Sequence, residues 1–265
     1  MTPSDVEQAA AALWQAEVSG IQTGLLSKAY PAMTMDDAYK VQAALIEKRR
    51  AAGHRVTGWK IGLTSKAMQY ALNIDIPDSG VLMSDMHFEH GGEVPKGRFI
   101  QPRIEAEIAF VMKAPLRGDV TRAEVIAATD YVAPALEILD TRILRVDPST
   151  KAARTIVDTI SDNAANAGII LGPERHTVDA FDLRWAGAIV TRNGEVEETG
   201  LGAGVLNDPV EAVVWLARRM EQYGQRIEAG QVILSGSFIR PVECPSGSAI
   251  SADFGPFGQV AIRFA

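Results

Sequence analysis

The chain has 265 residues, 47% of them apolar and 22% charged, which excludes a disordered chain and a small disulfide-stapled scaffold. Basic residues number 26 against 33 acidic ones, a formal charge of −7 with no basic block, so no nucleic-acid partner is expected. The single cysteine, Cys244, cannot form an intrachain bridge. With no charged or apolar leader at the start and no apolar run of about 18 residues, a cytoplasmic protein without membrane contact is expected.

Ser4-Asp5-Val6-Glu7 carries a side-chain oxygen and an acid three residues on, the pattern that caps a helix, and Val6, Ala10, Leu13, Trp14 and Ile21 follow near the helical period. Thr34-Met35-Asp36-Asp37 repeats the signal ahead of Ala38, Val41, Ala44 and Leu45, and the basic run Lys48-Arg49-Arg50 before Gly53 suits a helix end. The character then changes. Residues 56–63 read as a strand and 65–72 as a short helix, with further strands near 104–112, 131–139, 167–171, 184–192, 195–199, 231–235 and 258–264 and helices near 122–129 and 209–223. Asn193-Gly194 signals a tight hairpin, since both central residues of a type I′ turn need positive φ, and Asp208-Pro209 is a cap followed by a proline at the first helical position. No repeat or linker divides the chain, so a single unit is expected, with a helical region over about 1–53 and a mainly β region over about 54–265. The fold class is α+β; whether the strands close as sandwich, barrel or roll does not follow from the pattern.

The most informative stretch is Pro102-Arg103-Ile104-Glu105-Ala106-Glu107-Ile108. On a strand, Glu105 and Glu107 share one face, with Cα atoms about 6.5–7 Å apart. Glu137 lies inside another apolar strand, where an unpaired anion is costly and calls for a positive partner. Three carboxylates without cysteine or histidine form a hard oxygen set suited to Mg²⁺ or Mn²⁺ rather than zinc. The spacing equally fits a solvated sheet face with Glu137 paired to an arginine.

Lys60 stands between Gly58 and Gly62, which would leave room for a ligand over its ammonium, and burial beside another cation would lower its pKa towards neutrality. A snorkelling surface lysine is the alternative. The polar run 158–166, with Ser161 and Asp162, could contact a polar substrate or could be a helix cap and turn. Ser235-Gly236-Ser237 could offer backbone N–H groups to an anion or be an ordinary turn. Gly200-Leu201-Gly202-Ala203-Gly204 lacks the sixth-position glycine, the preceding strand and the following helix of a dinucleotide loop, and His87 and His90 lack the helix of a zinc-protease pair.

At these residues the chain resembles the family of 2-hydroxypentadienoate hydratases, 2-oxo-hept-4-ene-1,7-dioate hydratases and 4-oxalocrotonate decarboxylases. The resemblance runs end to end, through the segments 58–66, 77–80, 102–107, 135–137, 158–163 and 235–237. It implies a mixed β roll like the C-terminal domain of fumarylacetoacetate hydrolase, pentamer-based homo-oligomers, and metal carboxylates at Glu105, Glu107 and Glu137 with an active-site lysine at Lys60. It also implies hydration of 2-oxo-hept-4-ene-1,7-dioate in homoprotocatechuate breakdown, with decarboxylation of an oxalocrotonate-type substrate as the competing activity. A non-catalytic partner of a sister enzyme is the non-enzyme alternative. In that reading Lys60 moves a proton or holds the enolate oxygen, and Asp78 guides the water or a proton. The second carboxylate of the diacid needs a cation, with Arg240 the first candidate and Arg103 the second. Ser79 occupies the variable position of Pro-Asp-x-Gly, where relatives often carry an aromatic, and so bears on the shape of the substrate pocket.

Overall fold

A computed structural model describes residues 1–66, 69, 70, 74 and 76–265. The chain opens with α1 (Pro3–Ser19), α2 (Leu26–Ala29) and α3 (Met35–Ala51). The cap of α1 lies two residues before Ser4: the Thr2 hydroxyl accepts from Asp5 N, the Asp5 carboxylate accepts from Thr2 N, and Pro3 fills the first helical position, where no N–H is needed. Thr34 and Asp37 form the expected box at α3. Ala9, Ala10 and Leu13 of α1 meet Val41 and Leu45 of α3 in a small apolar core that Ile143 completes.

The remainder comprises β1 (Val56–Gly62), β2 (Asp78–Met83), β3 (His87–Phe88), β4 (Glu93–Val94), β5 (Arg103–Met112), α4 (Arg122–Ala128), β6 (Thr129–Leu139), α5 (Ile156–Ser161), β7 (Asn166–Leu171), β8 (Gly187–Arg192), β9 (Glu195–Leu201), α6 (Pro209–Glu221), β10 (Val232–Leu234), β11 (Val242–Glu243), β12 (Ala249–Asp253) and β13 (Gln259–Phe264). One mixed sheet runs β2-β1-β10-β5-β6-β7-β3, with β11 also on β5; a second runs β4-β13-β12-β8-β9. Ile104, Ala106, Ile108 and Phe110 of β5 turn one way and enter a core shared with Val190, Ile250, Val260 and Ile262 of the second sheet. Their neighbours on β5, Arg103, Glu105 and Glu107, therefore face the opposite side. Two packed sheets with flanking helices give the α+β roll.

Asn193 and Gly194 take φ of 54° and 85° between β8 and β9, as a type I′ turn requires. Asp208 caps α6 through Val210 N. The strand expected from residue 184 starts only at Gly187, because Asp182 to Trp185 form a turn. Elements α2, β3, β4 and β11 have two to four residues, too few to show a period, and were not expected. Three longer elements also lay beyond sequence reading. All six residues of β2 are buried, so no alternation marks it; α5 spans 6 residues, under two turns; and β12 spans 5. The short helix expected over 65–72 falls partly on residues 67, 68, 71 and 72, which lie outside the described residues. Among the described residues no helix is long and apolar enough to cross a membrane.

Candidate metal centre

Five side chains converge from four strands of the larger sheet. Glu105 and Glu107 project from β5, and the antiparallel register sets Glu137 of β6 directly opposite Glu105. Like charges facing across a ladder repel, so this pairing needs a compensating cation. Carboxylate oxygens of the three lie within 4.8 Å of one another. Glu107 and Glu137 are fully buried. Glu107 Oε2 accepts a 2.7 Å bond from Gly236 N, whereas Glu107 Oε1 and both oxygens of Glu137 are buried without a hydrogen-bond partner. Orphaned buried carboxylate oxygens in an all-oxygen set fit a hard divalent cation, which would satisfy all of them at once.

Electrostatics point the same way. Burial and the neighbouring Glu137 push the Glu105 carboxyl up to about 8, and burial and Glu105 push Glu107 up to about 7. Glu137 lies well above the usual carboxylate range, chiefly through burial. Lys60 of β1 places Nζ 3.5 Å from Glu137 Oε1, and its side chain is 4% exposed. The expected lowering of its pKa is corrected: burial does lower it, but Glu137, Asp78, Glu105 and Glu107 together outweigh burial and raise it. The glycines beside Lys60 also serve another purpose than ligand space. A Cβ on Gly58 would stand 1.9 Å from Val232 O, and one on Gly62 2.2 Å from Asp78 Oδ1, so they admit the β10 backbone and the Asp78 side chain.

Asp78 of β2 is buried and pairs in register with Gly62, on the Lys60 side of the sheet. Burial raises its pKa, with Lys60 and then Arg154 pulling it back. Its Oδ1 has no hydrogen-bond partner. Ser79, one residue on, pairs with Ile61 and turns to the other face, where its N–H donates to the Tyr39 hydroxyl. It therefore does not line the carboxylate side.

A 2-oxo-hept-4-ene-1,7-dioate hydratase of Escherichia coli is 49% identical over 251 residues, covering 94% of each sequence. The chain belongs to the hydratase and decarboxylase family that this resemblance named. A solved structure of 4-oxalocrotonate decarboxylase from Pseudomonas putida G7, complexed with magnesium and adipate, superposes with a TM-score of 0.93 at 34% identity, over 100% of this chain and 99% of that one. Fumarylpyruvate hydrolase from Pseudomonas aeruginosa shares the fold at a TM-score of 0.59 and 13% identity, over 78% of this chain and 88% of that one. No protein-family model matches the chain.

Other expected site residues of this hydratase and decarboxylase family member are placed as follows. Ser235 directly precedes Gly236, whose N–H holds Glu107, and its hydroxyl is buried and unpartnered. The loop N–H groups do meet an anion, but at Gly236 that anion is Glu107 itself. The Ser237 hydroxyl closes a turn with Ile239. Asp162 is engaged by Arg142 through Nε at 2.5 Å and through backbone N at 2.8 Å, and Ser161 Oγ donates to Val157 O. These two serve the scaffold, with Asn163, whose side chain bonds both backbone polar groups of Val81. Arg103 is on the carboxylate face but pairs with Glu243 at 2.7 Å. Arg240 is corrected as the anchor for a second carboxylate: its side chain is 80% exposed and its charge pairs with Glu198 at 2.6 Å.

Carboxyls whose folded pKa is raised bind protons more readily in the folded state than in the unfolded one. Their contribution to stability is present below about pH 4.5 and is lost as pH rises through about 7 to 8. A divalent cation needs the deprotonated forms and reverses this trend. Saturating Mg²⁺ is therefore expected to raise the melting temperature of EDTA-treated protein at pH 8 by about 5–10 °C, from ~2.7 kcal/mol of linkage at a hundredfold excess over Kd. The gain should shrink towards zero at pH 5. A calorimetric scan series across pH checks this; a gain independent of pH would mean the ion binds elsewhere.

Proposed function

We propose that this chain is a Mg²⁺- or Mn²⁺-dependent hydro-lyase that hydrates 2-oxo-hept-4-ene-1,7-dioate, presented as its 2-hydroxy-2,4-diene tautomer, to 4-hydroxy-2-oxoheptane-1,7-dioate. The buried Glu105, Glu107 and Glu137 cluster, faced by Lys60 and Asp78, carries this reading. A divalent ion held by these glutamates supplies Lewis-acid polarisation of the 2-oxo acid end.

The protein groups have distinct roles. Lys60 Nζ, fixed beside Glu137, passes a proton to C5 of the diene and takes up the one that the 2-hydroxyl gives up, or stabilises the oxygen at C2. That proton shift leaves C3=C4 conjugated with the C2 carbonyl, so C4 becomes the electrophilic carbon. Asp78, with one oxygen unengaged, is suited to hold the water that adds at C4 while C3 takes a proton. The buried, unpartnered Ser235 hydroxyl, one residue before the Gly236 N–H that holds Glu107, is suited to hold a water. The expected setting is one catalytic unit, with residues 1–53 as its helical cover, in a cytoplasmic, pentamer-based homo-oligomer that can associate with the sister enzymes of homoprotocatechuate breakdown.

The likeness to a 4-oxalocrotonate decarboxylase favours a second reading, in which the same cluster and lysine release CO₂. Purified protein mixed with 2-hydroxyhepta-2,4-diene-1,7-dioate should consume the diene only with Mg²⁺ or Mn²⁺, stop with EDTA, and yield the hydroxy diacid without CO₂. Persistence of this diene alongside CO₂ release from an oxalocrotonate substrate would move the chain to the decarboxylases.

A further inference from the structure

Between β6 and α5 the chain folds back on itself. Val146 and Ala153 form an antiparallel bridge, Arg154 N donates to Arg145 O at 2.9 Å, and Asp147 N donates to Ala152 O at 2.8 Å. Asp147 stiffens the tip by accepting from Ser149, Thr150 and Lys28. This closure brings two cations, Arg145 and Arg154, to the neck of one hairpin.

Neither arginine has an ion pair among the described residues. Arg154 Nη1 is buried and has no hydrogen-bond partner. The acids nearby are already engaged: Asp162 holds Arg142, and Asp158 accepts from Ser27 and from Thr155. Arg145 lines a cavity of about 680 Å³ together with Arg103, Gln101 and Glu243. Burial and the charges of Arg103 and Arg154 lower the Arg145 pKa, the mark of cations crowded without enough anions. Arg103, which shares this cavity, stands two residues before Glu105 on the same face of β5, which sets the hairpin at the Arg103 end of the carboxylate face. Burying an unpaired guanidinium is costly, and a ligand carboxylate meets its fork with two parallel hydrogen bonds.

We propose that Arg154, supported by Arg145, binds the distal carboxylate of a dicarboxylic 2-oxoalkenoate whose other end lies at Glu105, Glu107 and Glu137. The inference rests on the proposed hydratase reading and adds the group that selects diacids over monoacids. A site acidic at one end and cationic at the other holds an extended diacid in one orientation, with C4 and C5 between the two ends.

Two measurements on the full chain test it. In steady-state kinetics with Mg²⁺, Arg154→Gln should raise KM for 2-hydroxyhepta-2,4-diene-1,7-dioate about 10–100-fold and leave 2-hydroxypenta-2,4-dienoate within about threefold. Arg145→Gln should show the same selectivity with a smaller loss. If Arg154→Gln does not fold, Arg154→Lys keeps the charge without the fork and should still raise the diacid KM several-fold. In calorimetric titration of the Mg²⁺-loaded protein, heptanedioate should bind more tightly than hexanoate, and Arg154→Gln should remove the difference. Equal losses on both substrates, or an unchanged preference for heptanedioate, would overturn the assignment. Failure of the wild type to turn over either diene, with an Arg154-dependent preference for heptanedioate intact, would remove the hydratase reading and leave the subsite.

Discussion

Glu107→Gln is expected to abolish the Mg²⁺-dependent gain in melting temperature and to lower turnover about 10³-fold. A metal ligand contributes several kcal/mol to transition-state stabilisation, and each ~1.4 kcal/mol is a factor of ten. The substitution is nearly isosteric, and the amide oxygen can still accept the 2.7 Å bond from Gly236 N. The fold should therefore survive. Removing one desolvated negative charge should leave the EDTA-treated variant as stable as the EDTA-treated wild type or more so. Unfolding curves with and without Mg²⁺, run beside the diene assay, separate the two effects; a variant that still gains stability from the ion would take Glu107 out of the metal set.

Lys60→Met should lose turnover by about 10²–10⁴-fold, the range for a positioned proton-transfer group, while keeping its affinity for the ion. Its thermal behaviour should differ from that of the glutamate variant. Without metal, loss of the ammonium 3.5 Å from Glu137 leaves a buried carboxylate uncompensated, a cost of about 3–5 kcal/mol if Glu137 stays ionised. Above pH 8 the metal-free variant should thus be less stable than the metal-free wild type, and Mg²⁺ should close the gap. Retention of most of the turnover would remove Lys60 from the chemistry.

Much of the carboxylate cluster was legible because strand periodicity is a two-residue code. The alternation from Ile104 to Phe110 placed Glu105 and Glu107 on one face, and an acid inside the apolar run at Glu137 called for a partner. That the partner is Lys60 depends on β10 lying between β1 and β5, a pairing that joins segments more than a hundred residues apart in the chain. Local pattern carries no record of it. The same limit explains Lys60, whose pKa follows from four acids delivered by three other strands rather than from its own neighbours. Asp162 read as a substrate contact because its partner, Arg142, is 20 positions away, beyond any local spacing rule. Arg145 and Arg154 gave no signal, since only the closure of the hairpin between them makes them neighbours. β2 escaped because a strand buried on both faces has no period to detect.

Lys60, Asp78, Glu105, Glu107 and Glu137 all issue from a hydrogen-bonded ladder of adjoining strands, whereas the arginines assigned to the far end of the substrate hang on a loop. Natural variation can lengthen, shorten or recharge that loop without disturbing a single rung of the ladder. Transplanting residues 145–154 between relatives should then exchange their appetite for diacids or monoacids while the reaction itself stays with the recipient.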